Sequence, residues 1–197
     1  EAGQVSVANL VAMSRSTRNL ILLGDQMQLG QPIQGSHPGE SGQSALSYLL
    51  QEHATIPEDL GIFLAKTWRL HPGICEFISG AVYEGRLQPE PHTAERVVVA
   101  ADVEDQVPRE AGLLFLPVEH EGNSQASDEE VAAIVGVTND LLVRDWIPKA
   151  GESRRLSLDD ILFIAPYNMQ VRRLRESLPA GARVGSIDKF QGQEAPV

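Results

Sequence analysis

The chain has 197 residues, enough for one or two domains with a core. Its hydrophobic content of 42% and charged content of 22% are ordinary for a globular protein, and no apolar run approaches the roughly 20 residues of a membrane-spanning helix. A formal net charge of −11 excludes a simple basic module that grips nucleic acid by charge alone, though not a narrow basic groove on an acidic body.

The single cysteine, Cys75, cannot form an internal disulfide, so a reducing, cytoplasmic setting is expected. In chain order, "NLILLG" (19–24) reads as a short buried strand. "SGQSALSYLLQE" (41–52) has a helical period with Ala45, Leu46, Leu49 and Leu50 on one side. "LGIFLA" (60–65) reads as a second buried strand. "PGICEFISGAVYEGRL" (72–87) reads as a helix, with Pro72 in its first turn and Gly85 past its end. "RVVVAAD" (96–102) and "GLLFLPV" (112–118) are strand candidates.

The clearest helix signal is "ASDEEVAAIVGVTNDLLV". Ser127 and Glu130 have capping-box spacing, and Val131, Ile134, Val135, Leu141 and Leu142 form one apolar stripe. "DDILFIAPYN" (159–168) predicts a strand entering a turn. "MQVRRLRESL" predicts the next helix, whose Arg172, Arg173 and Arg175 are the densest basic stretch. "ARVGSI" (182–187) predicts a last short strand. Apolar strands separated by helices predict an α/β fold with a mostly parallel sheet, in which ligands bind at the C-terminal strand ends.

Those strand ends carry "GDQMQLGQP", "TWRLHP", "APYNMQ" and "DKFQGQE". Preceded by "EAGQ", they fall in an order that resembles the motor core of superfamily 1 helicases. The resemblance is to the 5′-to-3′ branch, which includes the nonsense-decay helicase and the Okazaki-fragment nuclease-helicase. It runs over the whole chain. "GSHPGESGQSAL" and "HATIPEDLGIFLAKTWRLHP" look closest to bacterial proteins that join a RecB-type nuclease region to such a helicase. The resemblance implies a RecA-like P-loop NTPase fold. Residues 1–65 would be the C-terminal part of a first RecA-like domain, and 66–197 would be a second one, incomplete at its C-terminus. It also implies ATP and Mg²⁺ as cofactors, and single-stranded nucleic acid, DNA before RNA, as partner.

No G-x-x-x-x-G-K-[ST] phosphate loop occurs in the sequence, and the family's last arginine motif is absent too. In the family, "EAGQ" follows an Asp that helps hold Mg²⁺, so Glu1 would be the second carboxylate. These 197 residues alone are therefore expected to be inactive.

The resemblance implies residue roles. Glu1 would polarise the attacking water and contact the metal. Gln4 and Gln28 would sense water and γ-phosphate, since an amide can accept from water and donate to phosphate without adding charge. Arg69 would stabilise the transferring phosphate, a role that contributes a rate factor of about 10³–10⁵ in other systems. Gly24 and Asp25 would shape the nucleotide loop, with Asp25 orienting it by hydrogen bonds and metal binding as the alternative. Trp68 would pack on the nucleotide base or fill core. Gly192 would let backbone N–H groups approach phosphate, and Glu194 would contact the ribose. Tyr167, Gln170, Ser186, Lys189 and Gln191 would face the nucleic acid. For Tyr167 and Gln170 helix packing is the alternative, and for Lys189 a solvated surface. Two rival functions stay open at this point: a remodelling ATPase without unwinding, and a non-catalytic binding module.

Overall fold

The computed structural model describes residues 1–30, 35–99 and 106–197. Within them the chain forms two compact units. The first comprises Glu1–Lys66 and Glu76–Gln88; the second comprises Thr67–Cys75 and Pro89–Val197.

In the first unit, helix α1 (Val7–Ser14) starts where Ser6 Oγ accepts from the Asn9 N–H at 3.3 Å. Helix α2 (Ala45–Leu50) starts the same way, with Ser44 Oγ accepting from Ser47 N–H at 3.0 Å. The two starts are tied together. Ala45 N–H donates to the Val5 carbonyl at 2.7 Å and Val7 N–H to the Gln43 carbonyl at 2.9 Å. Ala45, Leu46 and Leu50 are buried, as the helical period predicts, but Leu49 is exposed.

Two expectations fail here. Segments 19–24 and 60–65 are not strands, and neither is buried: Ile21 is 87% exposed and Ile62 85%. An apolar run becomes a strand only when a ladder takes up its N–H and C=O groups. Among the described residues the first run has one such bond, from Ala2 N–H to the Leu23 carbonyl at 2.8 Å.

That bond belongs to a close crossing of two backbones. A Cβ on Gly3 would lie 2.3 Å from the Asp25 carbonyl oxygen, and a Cβ on Gly24 would lie 2.6 Å from Ala2 N. Both glycines are required by contact with main chain, which cannot rotate out of the way.

Strands β1 (Lys66–Thr67) and β2 (Gln88–Pro89) lie where the chain passes from one unit to the other. Helix α3 (Pro72–Val82) starts in the second unit and ends in the first. Its end matches the expectation: Gly85 has φ +75° and donates to the Ser79 carbonyl at 2.9 Å.

The second unit is built around strands β6 (Leu162–Ile164) and β7 (Arg183–Gly185), which pair in parallel with Phe163 opposite Val184. Helices α4 (Asp128–Leu142) and α5 (Asn168–Ser177) pack with them, and α6 (Ile187–Phe190) follows β7. Val131, Leu141, Phe163, Val171, Leu174 and Val184 are part of one buried cluster, and Ile134, Val135 and Leu142 pack against it. The stripe read from the sequence is thus the core face of α4.

A second sheet was not legible in the sequence. Strands β3 (Val97–Val98), β4 (Asp145–Ile147) and β5 (Arg154–Arg155) form an antiparallel three-stranded sheet. They are two or three residues long and half polar, too short to show a period. The strand expected over 96–102 is observed only at Val97–Val98, and its end at 100–102 lies outside the described residues. The strand expected over 112–118 is not formed, and Phe115 is exposed.

The turn into β6 is held by a charge-assisted clasp. Arg154 donates to both carboxylate oxygens of Asp160, at 2.7 and 2.5 Å, and Ser157 adds its N–H at 2.9 Å and its hydroxyl at 2.8 Å. The Arg154 bonds, helped by those from Ser157, hold the buried Asp160 carboxyl at a pKa of about 2, below its usual 3.8.

Two predictions follow from this architecture. The Asp160 pKa is depressed, so its contribution is present above pH 4 and is lost as the pH falls from about 4 to about 2. Asp160→Asn should cost about 2 kcal/mol at pH 7 and only a small fraction of that at pH 2, read as the difference between the two proteins' urea midpoints across that range. Gly24→Ala should destabilise the first unit by about 1–3 kcal/mol, because the new methyl can only be housed by separating two backbones. Thermal melts beside an exposed-site alanine control check this.

Candidate functional site

In the first unit, Gly3, Gln4, Gln26 and Gln28 meet at a cleft of about 260 Å³. Gln4, Gln26 and Gln28 line it, with the hydroxyl residues Ser6, Ser44 and Ser47 and the backbone of Gly3 and Gly30. Every side chain in this lining is neutral and polar. Such a wall can orient water or bond a phosphate oxygen without adding charge.

Asp25 organises the loop beside it. Its Oδ1 accepts from Met27 N–H at 2.9 Å; its Oδ2 accepts from Gln28 Nε2 at 3.3 Å and from the Tyr83 hydroxyl at 2.5 Å. Burial first, and then the Asp25 carboxylate, push the Tyr83 phenol well above its usual range, so it stays a donor. Gln26 Nε2 bonds the Ala54 carbonyl. Tyr83 and Gln26 were not picked out from the sequence. Tyr83 sits 58 positions from Asp25, and no local spacing reports such a pair.

Glu1 is exposed, and its carbonyl accepts from Gln4 N–H at 3.0 Å. Among the described residues no group of three or more His, Cys, Asp and Glu could hold a metal ion. Asp25 has both oxygens engaged by donors, a poor arrangement for a cation ligand. The residues present therefore do not fit a magnesium site by themselves.

In the second unit, Arg69 stands on the loop after β1. Its N–H and that of Leu70 donate to Thr67 Oγ1, at 3.3 and 3.4 Å. Its guanidinium forms a salt bridge with Glu194, and both side chains are more than half exposed (57% and 63%). The two residues that the motif order assigned to phosphate and ribose are thus paired with each other in this structure. An exposed pair of this kind is worth at most about 1 kcal/mol, so either partner can be drawn away by a ligand. The exposed cation fits a phosphate group.

Trp68 is exposed, with its ring centroid 5.5 Å from that of His92 at 42°. It is therefore not a core residue. His71 serves the turn, its Nδ1 accepting from Gly73 N–H at 3.1 Å. Arg69, His71, His92 and Arg96 lie on a cavity of about 1020 Å³ that also takes in apolar residues such as Leu141 and Ile164.

The residues expected on a nucleic-acid face separate into two groups. Tyr167 is exposed at the residue before α5, and Ser186 caps α6 with no side-chain bond. Lys189 turns back to the Val184 carbonyl at 3.1 Å, with its ammonium 5.3 Å from the Phe190 ring centroid. Gln191 has a buried Nε2 without a hydrogen-bond partner among the described residues. Gly192 has φ +77° and open space where a Cβ would be.

Gln170 is a correction. It is 5% exposed, its Oε1 accepts from Ser127 N–H at 2.9 Å, and its Nε2 donates to the Ser127 carbonyl and to Glu130 at 3.3 Å each. It completes the N-terminus of α4 rather than facing a ligand. The capping box expected there is half present: Ser127 Oγ accepts from Glu130 N–H at 3.1 Å, but Gln170 takes the return bond.

Comparison with known proteins places these elements in a family. A family profile described as "AAA domain" matches residues 42–197. The chain is 31% identical over 188 residues to DNA-binding protein SMUBP-2 of Rattus norvegicus, covering 88% of this chain and 18% of that protein. It is 26% identical to the Regulator of nonsense transcripts 1 homolog of Arabidopsis thaliana, covering 94% and 15%. It is 24% identical to the ATP-dependent helicase upf1 of Schizosaccharomyces pombe, covering 98% and 21%. The chain therefore spans about a fifth or less of the length of these relatives. The mixed α/β content and the parallel β6–β7 pair agree with the RecA-like P-loop NTPase class of fold. The chain belongs to the AAA domain family, and its relatives are Upf1-like helicases of superfamily 1.

Proposed function

We propose that the full-length protein is an ATP-driven helicase or translocase that moves along single-stranded nucleic acid, with Mg²⁺ accompanying the nucleotide. The observation that carries this reading is Arg69: an exposed guanidinium on a backbone-fixed loop, in a chain 24% identical to a protein named ATP-dependent helicase upf1. In this reading Arg69 neutralises charge on the transferred phosphoryl group. Gln28 and Gln4, from the neutral cleft, orient the water, and Glu1 takes up its proton. Glu194 and Gly192 serve the nucleotide. Tyr167, Ser186 and Lys189 serve the strand, with Tyr167 offering a ring for base stacking.

DNA is the proposed strand, supported by the name DNA-binding protein SMUBP-2 of one relative. A nuclease region in the same protein is the narrower part of the proposal. It rests on the wording of "GSHPGESGQSAL". A cytoplasmic setting rests on the single cysteine.

The test is made in the full-length protein. Arg69→Ala and Gln28→Ala should each lower nucleic-acid-stimulated ATP hydrolysis by about 10³-fold or more while ATP binding persists. Normal turnover in both variants would sink the assignment. Strand displacement on matched DNA and RNA duplexes reports the substrate, and ATP turnover without displacement of either would indicate a remodelling ATPase instead.

A further inference from the structure

Arg69 has an unusual division of freedom. Its side chain is exposed and its ionic partner Glu194 is a surface carboxylate, but its peptide groups are held on both sides. Thr67 Oγ1 takes the N–H of Arg69 and of Leu70. Arg96 takes the carbonyls: its Nη1 donates to the Trp68 oxygen at 3.1 Å and to the Arg69 oxygen at 3.2 Å.

Arg96 is itself well anchored. It closes the 3₁₀ turn Pro91–Glu95, in which Thr93 is fully buried and bonds the Glu90 carbonyl through both its N–H, at 2.9 Å, and its hydroxyl, at 2.8 Å. Glu90 N–H in turn donates to the Thr67 carbonyl at 2.9 Å. The same turn presents His92 to the Trp68 ring. One short turn thus holds the Trp68–Arg69 segment by main-chain bonds at Thr67, Trp68 and Arg69, and by a ring contact.

We infer that Arg96 is a positioning residue for Arg69: it fixes the peptide from which the phosphate-binding guanidinium extends, and so sets where that group arrives during nucleotide hydrolysis. The inference rests on the function proposed above. A guanidinium suits the task because its fork offers donors to two adjacent carbonyls while the charge strengthens both bonds. A misplacement of about 1 Å in a catalytic group can cost about 10²-fold in rate, so the loss of this brace should appear in turnover rather than in nucleotide affinity.

The experiment uses Arg96→Met in the full-length protein, which keeps the stem and removes the donors. It should lower kcat for nucleic-acid-stimulated ATP hydrolysis by about 10- to 100-fold and change the KM for ATP by no more than about twofold. Arg96→Lys, which restores a multi-donor cation, should recover part of the loss. Thr67→Val, acting on the other side of the same peptide, should reproduce the defect. In an Arg69→Ala background, Arg96→Met should cost nothing more.

Hydrogen exchange separates positioning from folding. Amides of Arg69 and Leu70 should exchange faster in Arg96→Met while those of β6 and β7 stay protected. Wild-type kcat in Arg96→Met, an equal further loss in the Arg69→Ala background, or general loss of protection would overturn the inference. Full activity in Arg69→Ala itself would instead overturn the functional reading on which it stands.

Discussion

Much of the second unit hangs on a three-residue parallel pairing, Leu162–Ile164 against Arg183–Gly185. A parallel pair cannot be closed by a tight hairpin, so the chain must leave one strand, cross through α5 and return. That requirement places the C-terminal ends of β6 and β7 side by side, and the chain leaves both ends in the same direction. Tyr167 departs from one end; Ser186 and Lys189 depart from the other. Their proximity is a product of chain direction, and the apolar faces of α4 and α5 make the pairing stable by covering it.

The sequence was most informative where a local rule and the tertiary structure agree. The start and apolar stripe of α4, the Gly85 exit from α3, and the β6–α5–β7 succession are all set within a window of a few turns. The sequence misled where an apolar run was taken as sufficient for a strand. Residues 19–24, 60–65 and 112–118 are apolar enough, yet strands are pairwise objects, and composition says nothing about a partner. Short polar strands such as Arg154–Arg155 are invisible for the converse reason: their place in a ladder is fixed by neighbours far along the chain.

The candidate site shows the same division. Motif order singled out Arg69, Gln28 and Glu194, because those residue types stand in a recognisable succession, although the run before Gln28 forms no strand. It could not show that Arg69 and Glu194 face each other, nor that Asp25 serves Met27, Gln28 and Tyr83 together. Gln170 is the sharpest case. It lies near the exposed Tyr167 in a motif expected to face a ligand, but one turn of helix carries it from the surface to the interior. Residues that hold the site, such as Thr67 and Arg96, carry no motif. They act through main-chain groups, which every residue has.

The inward turn of Gln170 has a consequence for how the second unit meets a changing solution. The amide joins α4 to α5 through three bonds, and its own end carries no charge to lose or to screen. The Arg154–Asp160 clasp is the opposite kind of joint, held by a full positive and a full negative charge. One seam of the unit is therefore responsive to acid and ionic strength; the helix–helix seam adds to the uncharged Gln170 amide an exposed Arg173–Asp128 pair at 3.2 Å, which contributes little. A unit fastened in both ways can loosen at the approach to β6 while α4 and α5 stay in register, so softening begins at one edge instead of throughout.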